Sequence, residues 1–504
     1  MKRGSITLQL CLVLGIILSL VLYSIRSVRI AEGRVLISSA AEQGLYSLFA
    51  QYDRDLWEDY GLLFLDGGYS GRDLQLGALC REVEEAAGYI VEPGKDSILA
   101  AGKGLSGLEL TGCEPTGYLL ATDNGGAAFQ RQVGRVMKDT LGVRALETLK
   151  DQLTEQLDTA EQQAAYWESA DPEGTMEEYE ALKKQTEPEE AETAVLYRAP
   201  PVPVLTAESG EESPEPEVPE DFENPIEIAR SIRKLGLLSA AVPDVTKLSG
   251  FSLEQDALVS GRALQQGMGM VQNAEDGLVD KILLLEFLVE NFPCYTSDEQ
   301  GEGLKYQVEY ALGGKDSDIE NLKSVLTKLL LIREGSNFLF LMTDSEKGAQ
   351  ADQAALILST VLLVPEMKDL IAVALKLCWA YGESIMDLKT LLSGGKIPLL
   401  KDKESWQLSL GSLGTLLLGG QGEGKSSEKG LDYRWYLRIL LLAENSGSLA
   451  DAAMDLTEYN IRVRRGRTGF SLDSCLDVLE VRLSGKVDGQ EISLVRSYGY
   501  DMEE

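Results

Sequence analysis

Residues 1–30 read MKRGSITLQLCLVLGIILSLVLYSIRSVRI. From Ile6 to Ile25 the chain runs for twenty residues without a charged side chain. At a rise of about 1.5 Å per residue, a helix of that length crosses the roughly 30 Å hydrocarbon layer of a bilayer. A helix buried in a soluble core does not need so long an apolar run. The stretch therefore predicts a membrane span through residues 6–25, with the lipid bilayer as its partner.

Lys2 and Arg3 precede the span, and Arg26, Arg29 and Arg34 follow it. Positive charge on both sides leaves the positive-inside rule undecided. The short N-terminal flank and the large acidic remainder favour a single pass through the cell membrane, with the N-terminus cytoplasmic and the soluble region outside. A secretory signal peptide would end its apolar run at a small-residue cleavage pattern. Here the run passes instead into YSIRSVRIAEGRVLISSAAEQGLYSLFAQYDRDLWEDYGLLFL, where Leu36, Ala40, Leu45, Leu48 and Leu56 keep roughly helical spacing. That pattern predicts a signal-anchor helix that leaves the membrane and continues as an amphipathic rod. The N-terminal helix is also a surface through which copies of the chain could oligomerise.

The remaining chain is acidic, with 81 Asp and Glu against 47 Lys and Arg for a formal charge of −34. Such a balance argues against nucleic acid as a partner. The sequence contains no histidine, which removes Ser-His-Asp and Cys-His catalysis, HExxH zinc sites and imidazole switches. The six cysteines are Cys11, Cys80, Cys113, Cys294, Cys378 and Cys475. They form no CxxC cluster, so no structural zinc or iron–sulfur site is expected. Packed free thiols are the expectation; if the soluble part lies outside the cell, Cys80 with Cys113, or Cys294 with Cys475, could pair instead.

Composition and periodicity divide the chain into five parts. Residues 1–60 are the transmembrane and amphipathic rod. The DGGYSG turn at 66–71 opens a mixed α/β and helical region, 61–185, with short strands expected in GLELTG and GYLLAT. One or two helices follow, bearing a stripe of Leu146, Leu149, Leu153 and Leu157. Residues 186–224 are acidic and proline-rich, the composition of a linker. Residues 225–468 form a mainly helical domain that opens with Asn224 as a cap and Pro225 at the first helical position. Tyr306 and Val308 suggest a strand before the Gly313-Gly314 turn, and AALILSTVLLV, too short to span a membrane, reads as a buried bundle helix. In residues 469–504 the period changes to two, and Asp488-Gly489 marks a hairpin turn. The predicted fold class is α+β, mainly helical, closed by a C-terminal antiparallel β-hairpin or small sheet.

Few motifs carry chemistry. Lys315, Asp316 and Asp318 cluster in KDSD, and Glu383 and Asp387 stand four apart on one helix face. Paired carboxylates can hold a metal or divide acid and base roles, but solvated loop and helix-face polarity accounts for both sets. GGQGEGKS, 419–426, satisfies GxxxxGKS with Gly419, Gly424, Lys425 and Ser426. A phosphate loop also needs a preceding strand and a helix that starts at the motif. Gly430 interrupts the following segment, and no downstream strand ending in aspartate is evident, so a surface loop is the expectation. The basic RVRRGR, 462–467, reads as a charge-pairing face. These readings assign no catalytic, metal or cofactor-binding residue and no cofactor, and they make an enzyme the lesser expectation.

Several long blocks in the same order resemble the DUF5702 family. They include GSITLQLCLVL, FAQYDRDLWEDYGLLFLDG, NPIEIARSIRKLGLLSAAVPD, CYTSDE, LKYQVEYALGGKDSDIENLKSVLTKLLLIREGSNFLFLMTD, LKLCWAYGESIMDLKTLLSGGKIPLLKDKESWQLSL and the closing GFSLDSCLDVLEVRLSG with SLVRSYGY. The resemblance offers no catalytic residues to carry over. It implies a Gram-positive bacterial, membrane-anchored, outward-facing protein associated with Tad/Flp-type pilus or secretion-system components. The start also resembles the leaders of pilin-like proteins. By that resemblance Gly4 and Ser5 form a processing junction, with Ser5 the new terminus, and Gln9 departs from the glutamate of classical pilins. A pseudopilin-like or minor-pilin-like assembly component is the function implied, with an anchored sensor or binding protein as the alternative.

Overall fold

The computed structural model describes residues 2–91, 107–186, 224–273, 277–298, 302–416 and 424–500. Residues 187–223 of the expected linker and 419–423 of GGQGEGKS lie outside the described residues. The chain separates into two compact units, each assembled from distant segments: 1–147, 253–292 and 444–504 in the first, 148–252 and 293–443 in the second.

The first unit begins with α1 (Lys2–Phe49), a single helix of 48 residues. It continues with α2 (Arg54–Tyr60), β1 (Leu65–Asp66), α3 (Leu76–Val91), β2 (Glu109–Leu120) and α4 (Asp123–Leu141). Two later segments complete it: α9 (Leu278–Asn291), then α15 (Ser446–Arg464), β3 (Cys475–Val487) and β4 (Gln490–Gly499). The four strands form one antiparallel sheet with β3 at its centre, paired to β2, β4 and the short β1. Along β3 the residues Leu479, Val481, Leu483 and Val487 are buried in alternation with more open ones, the period-two signature of a sheet covered on one face.

The β3–β4 hairpin closes through Asp488 and Gly489, with Val487 opposite Gln490. Both turn residues have positive φ, 46° and 80°. A two-residue type I′ turn demands that conformation, and Asp-Gly supplies it at low cost.

The covering layer on this sheet is the second half of α1 with α3. Ile37, Ala40 and Ala41 pack with Ala87, Val91, Leu483, Val487 and Ile492. One turn further on, Leu45, Leu48 and Phe49 pack with Leu79, Val83, Leu476 and Leu479. Full burial of each large apolar side chain here contributes about 1.5–3 kcal/mol. The approach is close enough to require glycine. A Cβ on Gly44 would stand 2.7 Å from the Val83 carbonyl oxygen, and one on Gly33 2.6 Å from a Val487 methyl.

The rod ends earlier than its apolar spacing suggests. Phe49 closes α1, and Asp53 caps a new helix by accepting from the Leu56 N–H at 3.0 Å. Leu56 therefore belongs to α2, which Gly61 terminates at φ 70°.

The second unit is helical in its described residues. It contains α5 (Val143–Ser169) from Thr148 onward, then α6 (Pro172–Thr186), α7 (Pro225–Leu235) and α8 (Leu237–Ala241). After the first unit's insertion come α10 (Gln307–Gly313), α11 (Asp318–Thr343), α12 (Ser345–Val361), α13 (Lys368–Leu392) and α14 (Tyr433–Ala443). As the sequence predicts, Asn224 caps α7 by accepting from the Ile226 N–H, and Pro225 opens the helix. The strand expected at Tyr306 and Val308 is instead the start of α10. Val308, Tyr310 and Leu312 alternate in sequence, but all are buried on a short helix ended by Gly314 at φ 57°.

α13 is the centre of this unit. Its Ile371, Leu375, Cys378, Trp379, Tyr381 and Ile385 are buried in one core with residues of α5, α6, α7, α11 and α12. Within AALILSTVLLV, Ala354, Ala355 and Leu358 join that core, whereas Leu356, Val361 and Leu363 are exposed.

Candidate functional site

The largest bare apolar surface among the described residues is the first half of α1. Residues 8–28 are exposed throughout, and the helix becomes buried only from Gly33. At about 1.5 Å per residue the exposed section is about 30 Å long. Two serine hydroxyls inside it are internally satisfied: Ser19 donates to the Ile16 carbonyl and Ser24 to the Leu20 carbonyl, each at 2.8 Å. Such back-bonding lowers the cost of placing a hydroxyl in hydrocarbon. Where the exposed section ends, Arg29 reaches Asp488 of the hairpin turn at 3.1 Å. Further along, Arg496 of β4 bonds Glu42 at 2.8 Å and Ser38 at 2.7 Å. Gly4 and Ser5 lie within the helical backbone of α1.

Glu383 and Asp387 do share a face of α13, but that face is buried. Lys401 Nζ lies 2.6 Å from Glu383 Oε1 and 2.7 Å from Asp387 Oδ1, with all three side chains fully enclosed. Arg333 of α11, also fully enclosed, donates from Nε and Nη2 to Asp387 Oδ2 at 3.0 and 2.9 Å. Its Nη1 donates to the carbonyls of Pro398 and Leu399. Asn337 donates to Ser384 and Asp387, while Glu383 accepts from the backbone N–H groups of Gln407 and Leu408.

Burial opposes ionisation of Asp387, but Lys401 and Arg333 outweigh it and hold the carboxyl below its ordinary range. For Glu383 burial prevails over Lys401 and pushes the carboxyl up. Two cations thus neutralise two carboxylates with their hydrogen bonds made, an arrangement that fixes α11 and α13 to the 397–408 segment. The charged pair Arg333-Glu334, set between the apolar stretches LLLI and FLFLM of α11, is the sequence signal for Arg333. Lys401, in a loop, offered none.

The KDSD residues separate. Lys315 and Asp316 are exposed, whereas Asp318 is buried at the first turn of α11. Its carboxylate accepts from the backbone N–H groups of Lys305 and Tyr306 and from the Ser249 hydroxyl. Neither carboxylate set borders either of the two cavities described for this molecule.

The described part of GGQGEGKS lacks a phosphate loop's setting. Upstream is a 3-10 turn at Leu410–Leu416, and α14 starts only at Tyr433, seven residues after Ser426. Lys425 Nζ donates to the Glu404 carbonyl at 2.9 Å, and Ser426 Oγ accepts from the Lys396 N–H.

RVRRGR forms charge pairs within the first unit. Arg462 bonds Glu458, Arg465 bonds Asp59, and Arg467 bridges Asp53, Asp55 and Asp66 at 2.6–3.0 Å.

The cysteines are free thiols. Cys80 of α3 and Cys113 of β2 are hydrogen-bonded to each other. That bond lowers the Cys80 thiol's pKa and, with burial, raises that of Cys113. Cys294 instead bonds Thr296 and Ser297, and Cys475 bonds the Ser471 carbonyl.

Fold and surface together define a mainly helical α+β protein in which, among the described residues, one N-terminal helix is long and apolar enough to cross a membrane. The profile of the family of unknown function DUF5702 matches residues 215–487, just over half of the chain. The protein belongs to that family. No curated protein and no solved structure matches the chain.

Proposed function

We propose that this protein is a membrane-anchored structural or assembly component, resembling a pseudopilin or minor pilin of a Tad/Flp-type system. The observation that carries this reading is the division of α1. One unbroken helix has an apolar first half with no packing partner among the described residues and a second half built into a folded core. Such a helix transmits position rigidly from a bilayer to the sheet it supports. Of the carboxylates that sequence singled out, Asp318, Glu383 and Asp387 are engaged in holding buried segments together, which fits a non-catalytic role. In this reading residues 6–25 cross the cell membrane, the N-terminus is cytoplasmic and the folded units lie outside. Neighbouring pilus or secretion components, or further copies, pack along the exposed helix.

The test is N-terminal sequencing of membrane-extracted protein combined with protease protection in intact cells. An intact start or a start at Ser5, with the soluble region accessible from outside, supports the proposal. A mature chain beginning beyond residue 25 would sink it, as would membrane assembly by a variant lacking residues 6–25.

A further inference from the structure

A cavity of about 570 Å³ opens among the helices of the second unit, a volume suited to a small ligand. Trp167 of α5, Leu330 of α11 and Tyr381 of α13 provide apolar and aromatic walls. Glu334 of α11 also borders it and is only 7% exposed. Burial pushes its carboxyl up to about 7, against the pull of Arg233.

Arg233, in the last turn of α7, shows which chemistry the cavity accepts. Its guanidinium carbon lies 4.6 Å from the centre of the Tyr381 ring, within cation–π range. Its Nη2 is 3.4 Å from Glu334 Oε1, long for a charge-assisted hydrogen bond. The Arg233 side chain is also 48% exposed. A half-exposed, loosely bonded cation from the chain thus occupies a place made by a carboxylate and an aromatic face.

The remaining charged groups at the cavity are Glu168, Asp171 and Glu173, at the turn between α5 and α6. Four carboxylates therefore face one guanidinium, a field that attracts cations and repels anions. Asp171 is held at φ 45°, an unusual conformation for a residue other than glycine, and accepts from the Gly174 N–H at 3.1 Å.

We propose that this cavity binds a small organic cation, an alkylammonium or alkylguanidinium with an apolar body, whose charge displaces Arg233 from its place between Glu334 and the Tyr381 ring. The body of the ligand then lies against Trp167 and Leu330. This site is independent of membrane anchoring and adds a binding activity to the structural role.

The experiment is calorimetric titration of the detergent-solubilised full chain with agmatine, which carries a guanidinium and an ammonium on a four-carbon body, against 1,4-butanediol and glutarate. Saturable binding of agmatine alone is expected. Glu334→Gln should weaken it roughly tenfold, the scale of one hydrogen bond to a charged group. Arg233→Ala, a change at a half-exposed residue, should tighten it several-fold by removing the internal competitor. The proposal is overturned if neither wild type nor R233A binds agmatine saturably. It is equally overturned if E334Q binds as wild type does, if R233A abolishes binding, or if glutarate binds better than agmatine.

Discussion

Arg29 and Asp488, 459 residues apart in sequence, meet at 3.1 Å where α1 passes from its exposed to its packed half. The pair ties the foot of the apolar helix to the turn of the β3–β4 hairpin. Asp488 has two separable roles, since its φ of 46° is required by the turn and its carboxylate faces Arg29. Asp488→Asn keeps the turn and loses only a half-exposed ion pair, so a loss below about 1 kcal/mol is expected. Asp488→Ala adds left-handed backbone strain of about 1–2 kcal/mol. Denaturant unfolding of the purified full chain should rank the variants in that order.

Two glycines on α1 should respond in opposite ways. Gly44→Ala drives a methyl to 2.7 Å from the Val83 carbonyl oxygen and should cost about 1–3 kcal/mol, despite alanine's better helix propensity. Gly15 has nothing within 4 Å, so Gly15→Ala should leave unfolding unchanged. An assembly defect in G15A without loss of stability would locate a helix contact there.

The buried network in the second unit makes a clear energetic prediction. Lys401→Met leaves Glu383 and Asp387 side by side without their shared cation, and should destabilise by about 3–5 kcal/mol. Adding Glu383→Gln removes the second uncompensated charge and should recover a large part of that loss. A double variant no better than K401M would mean that Lys401 contributes mainly through packing.

Glu309 should make stability depend on pH. It is fully buried in the second unit; Oε1 accepts from the Tyr295 N–H and the Tyr433 hydroxyl, whereas Oε2 has no hydrogen-bond partner. Burial pushes its carboxyl up to about 7, against those two donors. Between pH 4.5 and 7 the unfolded chain has released this proton while the folded chain retains it. Stability is therefore highest below about pH 4.5 for this group and falls as pH rises to about 7, by up to about 3 kcal/mol. Glu309→Gln should flatten that part of the unfolding profile and be the more stable form at pH 8. Glu334 contributes a slope of the same sign, so some dependence will remain.

Cys80 and Cys113 should form an intramolecular disulfide when the full chain is treated with glutathione disulfide, which takes up the two electrons and yields two molecules of glutathione. Thiol counting with peptide mapping should show loss of these two thiols before Cys378, which is buried and whose pKa burial raises to about 12. Cys80→Ser should abolish the crosslink. Retention of both thiols under conditions that oxidise an exposed cysteine would refute the prediction.

Local features of the fold were largely legible in advance. The cap at Asn224, the turn at Asp488-Gly489 and the apolar span each depend on neighbours within a few residues. The structure departs from the local pattern where two patterns compete. The apolar alternation at Tyr306 and Val308 suits a strand, but a short helix buried on several sides uses the same residues. The continued spacing to Leu56 concealed a helix end set by Asp53 acting as a cap.

Of the candidate site residues, Glu383 and Asp387 were readable as a helix-face pair, but their meaning was not. Whether two carboxylates catalyse, bind a metal or join helices depends on what faces them, and Arg333 and Lys401 come from 54 and 14 residues away from Asp387. The sequence by itself determined the long apolar helix, the helical majority, the closing hairpin and the exclusion of histidine chemistry, because composition and short-range periodicity govern these. Tertiary structure alone decided that β3 would sit between β2 and β4, that α1 would be bare in one half and packed in the other, and that Arg233 would lie against Glu334 and Tyr381. Those outcomes depend on close approach of residues far apart along the chain, where burial, steric fit at Gly33 and Gly44, and charge compensation select among arrangements that local preference leaves equivalent.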